Sequence, residues 1–392
     1  MYSNHWAMSC KQETYKRLGD YIREVDVRNR NLECTNLLGL SIAKAFIPSI
    51  ANTVGTDFGP YKIVKHNQFA FVPVTSRNGD KITIALYDGQ EDCIISQAYT
   101  AFEVKDADLL LPEYLMMWFR RPEFDRYARF KSHGSAREVF DWEEMCNVMM
   151  PIPGLTEQQH IVDRYNAIQQ RIENNMRTIE KLEETAQTIY FNKFLAEINP
   201  EDLPDGWKKG TISDLGKVIG GATPSTDIKE YWVENGIPWL SPADMPRDVM
   251  FIDKTVKHIS EDAYNSTSTI LLPKGTVLFS SRAPIGLTAI ADIELCTNQG
   301  YKSVVPFEEY GSLFVYYTML NKKDKIAWEQ EGSTFAEISG KELASFPVII
   351  PDLESVKEFN NTLEPLANYR KKLERENVVL DELLTLLTSR LS

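Results

Sequence analysis

The feature that most constrains this chain is that it repeats itself. The segment Gly134–Leu155 (GSAREVFDWEEMCNVMMPIPGL) aligns without a gap on Gly332–Leu353 (GSTFAEISGKELASFPVIIPDL), at an offset of 198 in a chain of 392 residues. Gly134–Ser135 falls on Gly332–Ser333, Glu144 on Glu342 and Pro153 on Pro351. Upstream, SQAY at Ser96–Tyr99 matches NQGY at Asn298–Tyr301 with offset 202, and LGDYI at Leu18–Ile22 loosely matches ISDLG at Ile212–Gly216. A repeated sequence implies a repeated structural unit. The expected fold is α+β: a globular mixed α/β domain at 1–155, a long helix at 156–200, a second such domain at 201–352 and a second long helix at 353–392. With 43% apolar and 25% charged residues, each domain can bury a core.

The helices carry the clearest periodicity. Thr156–Gln159 reads as a T-x-x-Q capping box, and no Gly or Pro follows until after Glu197. The first apolar seam is Ile161, Tyr165, Ile168, Ile172, Asn175, Ile179, Leu182, Ala186, Ile189 and Lys193. The second is Phe359, Leu363, Leu366, Arg370, Leu373, Asn377, Leu380, Leu384, Leu387 and Leu391. In both, steps of 4 and 3 alternate, which is the a/d pattern of a coiled coil. Each second position equals the first plus 198, so the seams share one phase. A stripe of that length requires a partner. The two helices are expected to form an antiparallel coiled coil with a pseudo-twofold axis, pairing positions whose numbers sum to 552. Ile161 then meets Leu391, and Asn175 meets Asn377, where two amides satisfy each other and fix the register. A helix of about 40 residues spans about 60 Å, the dimension of a spacer. Pro365 is expected to kink the second helix.

Several function classes are disfavoured. No run of about 18 apolar residues is present, so no transmembrane helix and no membrane partner are expected. Met1–Thr14 has no apolar h-region, so no secretory signal is expected and the localisation reads as cytoplasmic. Five scattered cysteines without a CxxC disfavour a disulfide framework or a zinc site. The five histidines lack metal-ligand spacing, and Gly210–Val218 (GTISDLGKV) misses the phosphate-loop pattern. Neither a catalytic residue nor a metal site is expected.

The second half carries GGATPST at Gly220–Thr226, IPWLSPADM at Ile237–Met245, GTVLFSSRAPIGLTAIA at Gly275–Ala291, CTNQGYKSVVP at Cys296–Pro306, GST at Gly332–Thr334 and FPVIIP at Phe346–Pro351. This series resembles the specificity (S) subunits of type I restriction–modification systems, from about Tyr15 to Leu391. The first half resembles them through its layout and the LTEQQHIV helix start; there VTSRNGD at Val74–Asp80 replaces SSRAPIG. The resemblance implies two target-recognition domains, each reading one half of a split double-stranded DNA site. It implies helices that dock methyltransferase (M) subunits, with restriction endonuclease–translocase (R) subunits completing the complex. It also implies no chemistry and no cofactor in this chain, S-adenosylmethionine belonging to the M subunits. The competing reading is a coiled-coil scaffold with two protein- or ligand-binding heads. Loops that diverge while the helices keep phase favour DNA recognition.

The net charge of −13 is unevenly spread, with −8 in residues 201–352 and −2 in residues 1–155. Affinity for DNA must then come from local patches. Arg120–Arg137 carries Arg120, Arg121, Arg126, Arg129, Lys131 and Arg137, interleaved with Tyr127, Phe130 and His133. Candidate DNA contacts in the first half are Arg77, Arg126, Arg129, Lys131, Ser135 and Arg137. In the second half Arg282 suits guanine, and Asn298 and Gln299 suit adenine. Thr223, Ser225, Ser280, Ser333 and Thr334 suit phosphate or base edges. Trp239, Phe279 and Tyr301 read as core.

Overall fold

The computed structural model describes residues 15–50, 54–76, 79, 81–133, 138–246, 249–282, 284–329 and 337–391. Its helices are α1 (Pro112–Phe119), α2 (Pro122–Lys131), α3 (Trp142–Cys146), α4 (Leu155–Phe194), α5 (Glu261–Ser266), α6 (Gly311–Trp328), α7 (Gly340–Ala344) and α8 (Leu353–Ser389). The chain divides into two compact units, residues 1–172 with 379–392, and residues 173–378. The start of α4 and the end of α8 belong to the first unit; the end of α4 and the start of α8 belong to the second.

In the first unit an antiparallel sheet runs in the order Ile22–Val25, Thr100–Val104, Gln68–Phe71, Ile84–Leu86. Phe69 stacks on Phe102 at 4.8 Å, and Phe119 meets both edge-on. The same core takes in Val162 and Tyr165 of α4 and Leu384 and Leu391 of α8, with Ile161, Ile168 and Leu387 packed against it. Full burial of such side chains stabilises by about 1.5–3 kcal/mol each. The strand Tyr15–Arg17 pairs with Met149–Pro151 just before α4 begins.

The second unit repeats this frame. Gly216–Gly220, Lys302–Pro306, Val277–Phe279 and Thr288–Ala291 lie in the same antiparallel order, and Phe251–Ile252 adds a parallel fifth strand. A further sheet orders Trp232–Val233, Lys257–Ile259, Ile237–Leu240 and Cys296–Thr297. Lys208–Thr211 pairs with Pro347–Ile350 just before α8. Tyr190, Phe194, Phe314 and Phe359 interlock as an aromatic cluster, which places α4, α6 and α8 in one core. Trp239, Phe279 and Tyr301 are buried, as the sequence suggests.

The 198-residue offset holds at the level of single elements. α3 and α7 begin at 142 and 340, and α4 and α8 at 155 and 353. Asp141 caps α3 through the Glu144 N–H, and Ser339 caps α7 through the Glu342 N–H, so the aligned Glu144 and Glu342 occupy one capping position. LGDYI and ISDLG both open with a single 3₁₀ turn, Leu18–Asp20 and Ile212–Asp214. The halves differ where α6 is continuous. Its counterpart is broken into α1 and α2 by Pro122, which sits at the first position of α2 and cannot supply an interior N–H.

Within the second unit Asn175 of α4 donates to Asn377 of α8 at 2.9 Å and to Glu376 at 3.1 Å. Asn175 is 3% exposed. An unpaired amide there would keep a desolvation cost with no compensation. Leu182 and Ile189 of α4 and Leu363 of α8 also lie in the second unit, Leu363 buried and the other two half-buried. Each helix also packs into a domain core, because its apolar residues are not confined to the seam.

One local expectation is corrected. The T-x-x-Q box does not form: α4 starts at Leu155, so Thr156 is already inside it. Gln158, not Gln159, secures the start, donating to the carbonyls of Pro153 and Leu109 and accepting from the Leu111 N–H, while Gln159 bonds Asp163. α8 runs as one helix with Pro365 inside it.

Candidate nucleic-acid interface

In the second unit, three loops distant in sequence meet at one place. Gly221 lies so close to the following loop that a Cβ there would sit 2.1 Å from the Asn298 carbonyl oxygen and 2.3 Å from that of Thr297. Only glycine permits that approach. The Ala222 N–H donates to the Thr297 carbonyl at 2.9 Å, and the exposed Thr223 hydroxyl donates to the Gln299 side chain. From the third loop, the Ser281 N–H donates to the Gly300 carbonyl at 2.7 Å. The Asn298 side chain accepts the Gly300 N–H at 2.9 Å, which shapes the turn. Lys302 binds the Gln299 carbonyl at 2.7 Å and lies 3.5 Å from Glu337, which also pairs with Arg282 at 3.5 Å. The Ile338 N–H donates to the Ser281 carbonyl.

Thr223, Arg282, Asn298 and Gln299 are thus brought together. Ser225 is exposed, and its hydroxyl accepts the Asp227 N–H at 3.3 Å. Ser280 is a correction: it is fully buried, donates to the Pro284 carbonyl and accepts the Leu287 N–H. It holds the Ser281–Gly286 loop closed and presents nothing outward. Ser333 and Thr334 lie outside the described residues. Lys302 and Glu337 were missed; Lys302 stands in the CTNQGYKSVVP segment, where only the three-loop convergence marks it.

In the first unit the basic segment forms α2 with flanking turns. Arg120 donates to the Tyr165 hydroxyl, and the buried Arg121 stacks over Trp118 at 4.2 Å. Arg126 pairs with Glu123 at 3.1 Å, Arg129 with Glu138, and Lys131 with Glu144 at 3.5 Å. The expected excess of positive charge is therefore reduced: Glu138 and Glu144, beyond the segment's clearly basic core, fold back against it. Exposed pairs of this kind are worth only about 0–1 kcal/mol, so they hold these cations weakly. The Thr75 hydroxyl donates to Ser132, and the Thr75 N–H to the Glu138 carbonyl. The loop entering at Val74 therefore adjoins the end of α2. Arg77, Ser135 and Arg137 lie outside the described residues.

The two sites share one pinning bond. Phe140 N–H donates to the Pro73 carbonyl in the first unit, and Ile338 N–H, 198 residues later, to the Ser281 carbonyl in the second. Both fasten the strand-to-strand loop to the segment before the last short helix. Among the described residues no group of three or more His, Cys, Asp or Glu is placed to hold a metal ion, and no helix is long and apolar enough to cross a membrane.

Residues 204–379 match the type I restriction modification DNA specificity domain family. Over 184 residues the chain is 34% identical to the type I restriction enzyme MjaIX specificity subunit of Methanocaldococcus jannaschii, covering 46% of this chain and 42% of that protein. It is 30% identical over 164 residues to the EcoR124I/EcoR124II specificity subunit of Escherichia coli, 40% of each. These matches span about two fifths of each relative's length. The HindI specificity subunit of Haemophilus influenzae is 21% identical over 84% of this chain and 86% of that one. The crystal structure of a type I restriction–modification S subunit from M. genitalium shares the fold, with a TM-score of 0.57 at 15% identity over 95% of each chain.

Proposed function

We propose that the chain, whose residues 204–379 match the type I restriction modification DNA specificity domain, is a specificity subunit that recognises a bipartite DNA target for partner subunits. Residues 1–155 and 201–352 are the target-recognition domains, and each reads one half-site. α4 and α8 pair antiparallel as a coiled-coil spacer and dock the M subunits, with R subunits completing the restriction complex. The chain supplies recognition; methyl transfer and S-adenosylmethionine belong to the M subunits. The complex works in the cytoplasm, where its DNA is.

One observation carries this reading. The two units share a four-strand frame and a pinning bond, yet hang loops of different length and sequence at the same places. That is the pattern of two readers of different sequences on one scaffold. In the second domain, Arg282, Asn298 and Gln299 supply donors and acceptors for base edges, and Thr223 and Ser225 supply hydroxyls for the backbone. In the first, Arg126, Arg129 and Lys131 line the helix beside the Val74 loop. Since the chain carries a net charge of −13, tight binding draws on positive surface from the M subunits.

The test is to co-express the chain with its cognate M subunit and map methylated sites genome-wide. A motif in two parts separated by a gap of fixed length supports the proposal. A contiguous motif, or none, overturns it. The lone chain, titrated on the same duplex at fixed salt, should bind far more weakly than the assembled complex.

A further inference from the structure

Among the described residues, the two most exposed of the phenylalanines, tyrosines and tryptophans are Phe130, 81% exposed, and Trp328, 68% exposed. They are 198 residues apart, the offset of the repeat. Each stands at or next to the end of its helix, α2 or α6, four residues before the Gly–Ser pair that anchors the alignment. Each is also the only exposed large apolar side chain on its helix. A lone exposed apolar residue is ordinary. Two large rings at one register position, in domains whose loops have diverged, call for a shared use.

The surroundings indicate what that use is. Arg126, Arg129 and His133 lie at i−4, i−1 and i+3 from Phe130, and all are exposed. Trp328 has Lys325 at i−3 and Lys323 at i−5, with Asp324 at i−4 and Glu329 at i+1. Phe130 is two residues from Ser132, which accepts from Thr75 at the mouth of the Val74 loop. The segment after Trp328 is fixed at its far end by Ile338 to Ser281 and by Glu337 to Arg282. Phe130 therefore borders the Val74 loop, and Lys323, five residues before Trp328, meets the end of the Ser281 loop, where a Cβ on Gly286 would lie 3.1 Å from the Lys323 Cβ. A protein-docking hot spot is ringed by further apolar contacts; each of these rings is the sole exposed large apolar side chain on its helix and has a cation within one turn.

Resting on the DNA-recognition reading above, we propose that Phe130 and Trp328 are aromatic wedges for double-stranded DNA, one per domain, each pressing into or against a base step of its own half-site. A ring stacks on any base and needs no particular hydrogen-bonding edge. Such a residue can stay fixed while the edge-reading loops diverge. Apolar wedges of this kind partly unstack a step and bend the duplex.

The experiment uses the full chain assembled with its M subunit and duplexes carrying the mapped motif, with 2-aminopurine placed in turn through each half-site. The wild-type complex should raise fluorescence at one step in each half. Phe130→Ala should remove the signal in one half only and weaken binding roughly tenfold, within the range of a lost base–aromatic stack. Trp328→Ala should do the same in the other half only, and Phe130→Trp should retain the signal. Both residues are exposed, so the alanine variants should fold and assemble normally. Unchanged fluorescence with binding altered less than twofold would overturn the proposal while leaving a bipartite motif, and so the recognition reading, intact. Loss of assembly with the M subunit, with normal DNA binding once assembled, would also overturn it, assigning the rings to a protein contact. Absence of a bipartite motif would overturn both.

Discussion

Replacing Arg370 with methionine tests how α8 is held in the second unit. Arg370 is 7% exposed, and its guanidinium contacts Glu183 of α4 and donates to Glu374 one turn along α8 at 2.7 Å. Glu183 also accepts from the Tyr317 hydroxyl, and Glu374 from the Met250 N–H at 2.9 Å. Methionine fills much of the stem but strands two carboxylates without their cation. Removing one partner of a buried pair costs about 3–5 kcal/mol. For a unit of about two hundred residues, each kcal/mol moves the melting temperature by about 2–4 °C, so the second unit's transition should fall by about 6–20 °C. Adding Glu183→Leu removes one stranded carboxylate and should recover part of the loss. The repeat shows that the frame accepts an aliphatic side chain here, because Ile172 stands 198 residues earlier. Calorimetry fitted with separate transitions for the two units is the appropriate assay. A loss below about 1 kcal/mol, the scale of a surface pair, would refute the reasoning, as would a double variant less stable than the single.

Asp292 gathers Lys274, Lys371 and Arg375; burial pushes its carboxyl up, but the bonds from Lys371 and Lys274 outweigh that and hold it below 3.8. A lowered folded-state pKa stabilises above the unfolded value and is lost as pH falls through the folded one, so urea midpoints should drop below about pH 4. Asp292→Asn should be weaker at pH 7 and show a flatter acid limb; an acid limb as steep as wild type would contradict this. Asn175→Leu should cost about 1–3 kcal/mol by leaving the Asn377 amide unpaired, and the Asn175→Leu, Asn377→Leu pair should restore stability in urea titration. Gly221→Ala should drive the Gly220–Thr226 loop off the Thr297–Gly300 turn, lowering affinity for one half-site with helical content unchanged by circular dichroism.

What was legible in the sequence was whatever follows a short period. The two long helices, the Asn175–Asn377 contact and the elements at offset 198 all rest on local spacing that a helix or tight turn enforces. The four-strand frame was not legible, because its equivalent strands begin at offsets from 194 to 209 and the loops between them drift. The candidate site was half legible. Arg282, Asn298, Gln299 and Thr223 were identifiable by residue type, but their convergence depends on Gly221 packing against a backbone some 76 residues away. Ser280 was misread because a serine beside an arginine looks available until its hydroxyl is seen closing its own loop. The basic segment looked more positive than it is because Glu138 and Glu144 return to it only in three dimensions.

The central claim is that two domains read two half-sites independently, and one measurement tests it most directly. Genome-wide methylation is mapped for the complex containing the wild-type chain and for one carrying Arg282→Ala with Gln299→Ala. The account predicts that the variant relaxes or changes bases in one half of the motif, with the other half and the gap length unchanged. Changes in both halves, or in neither, would contradict it.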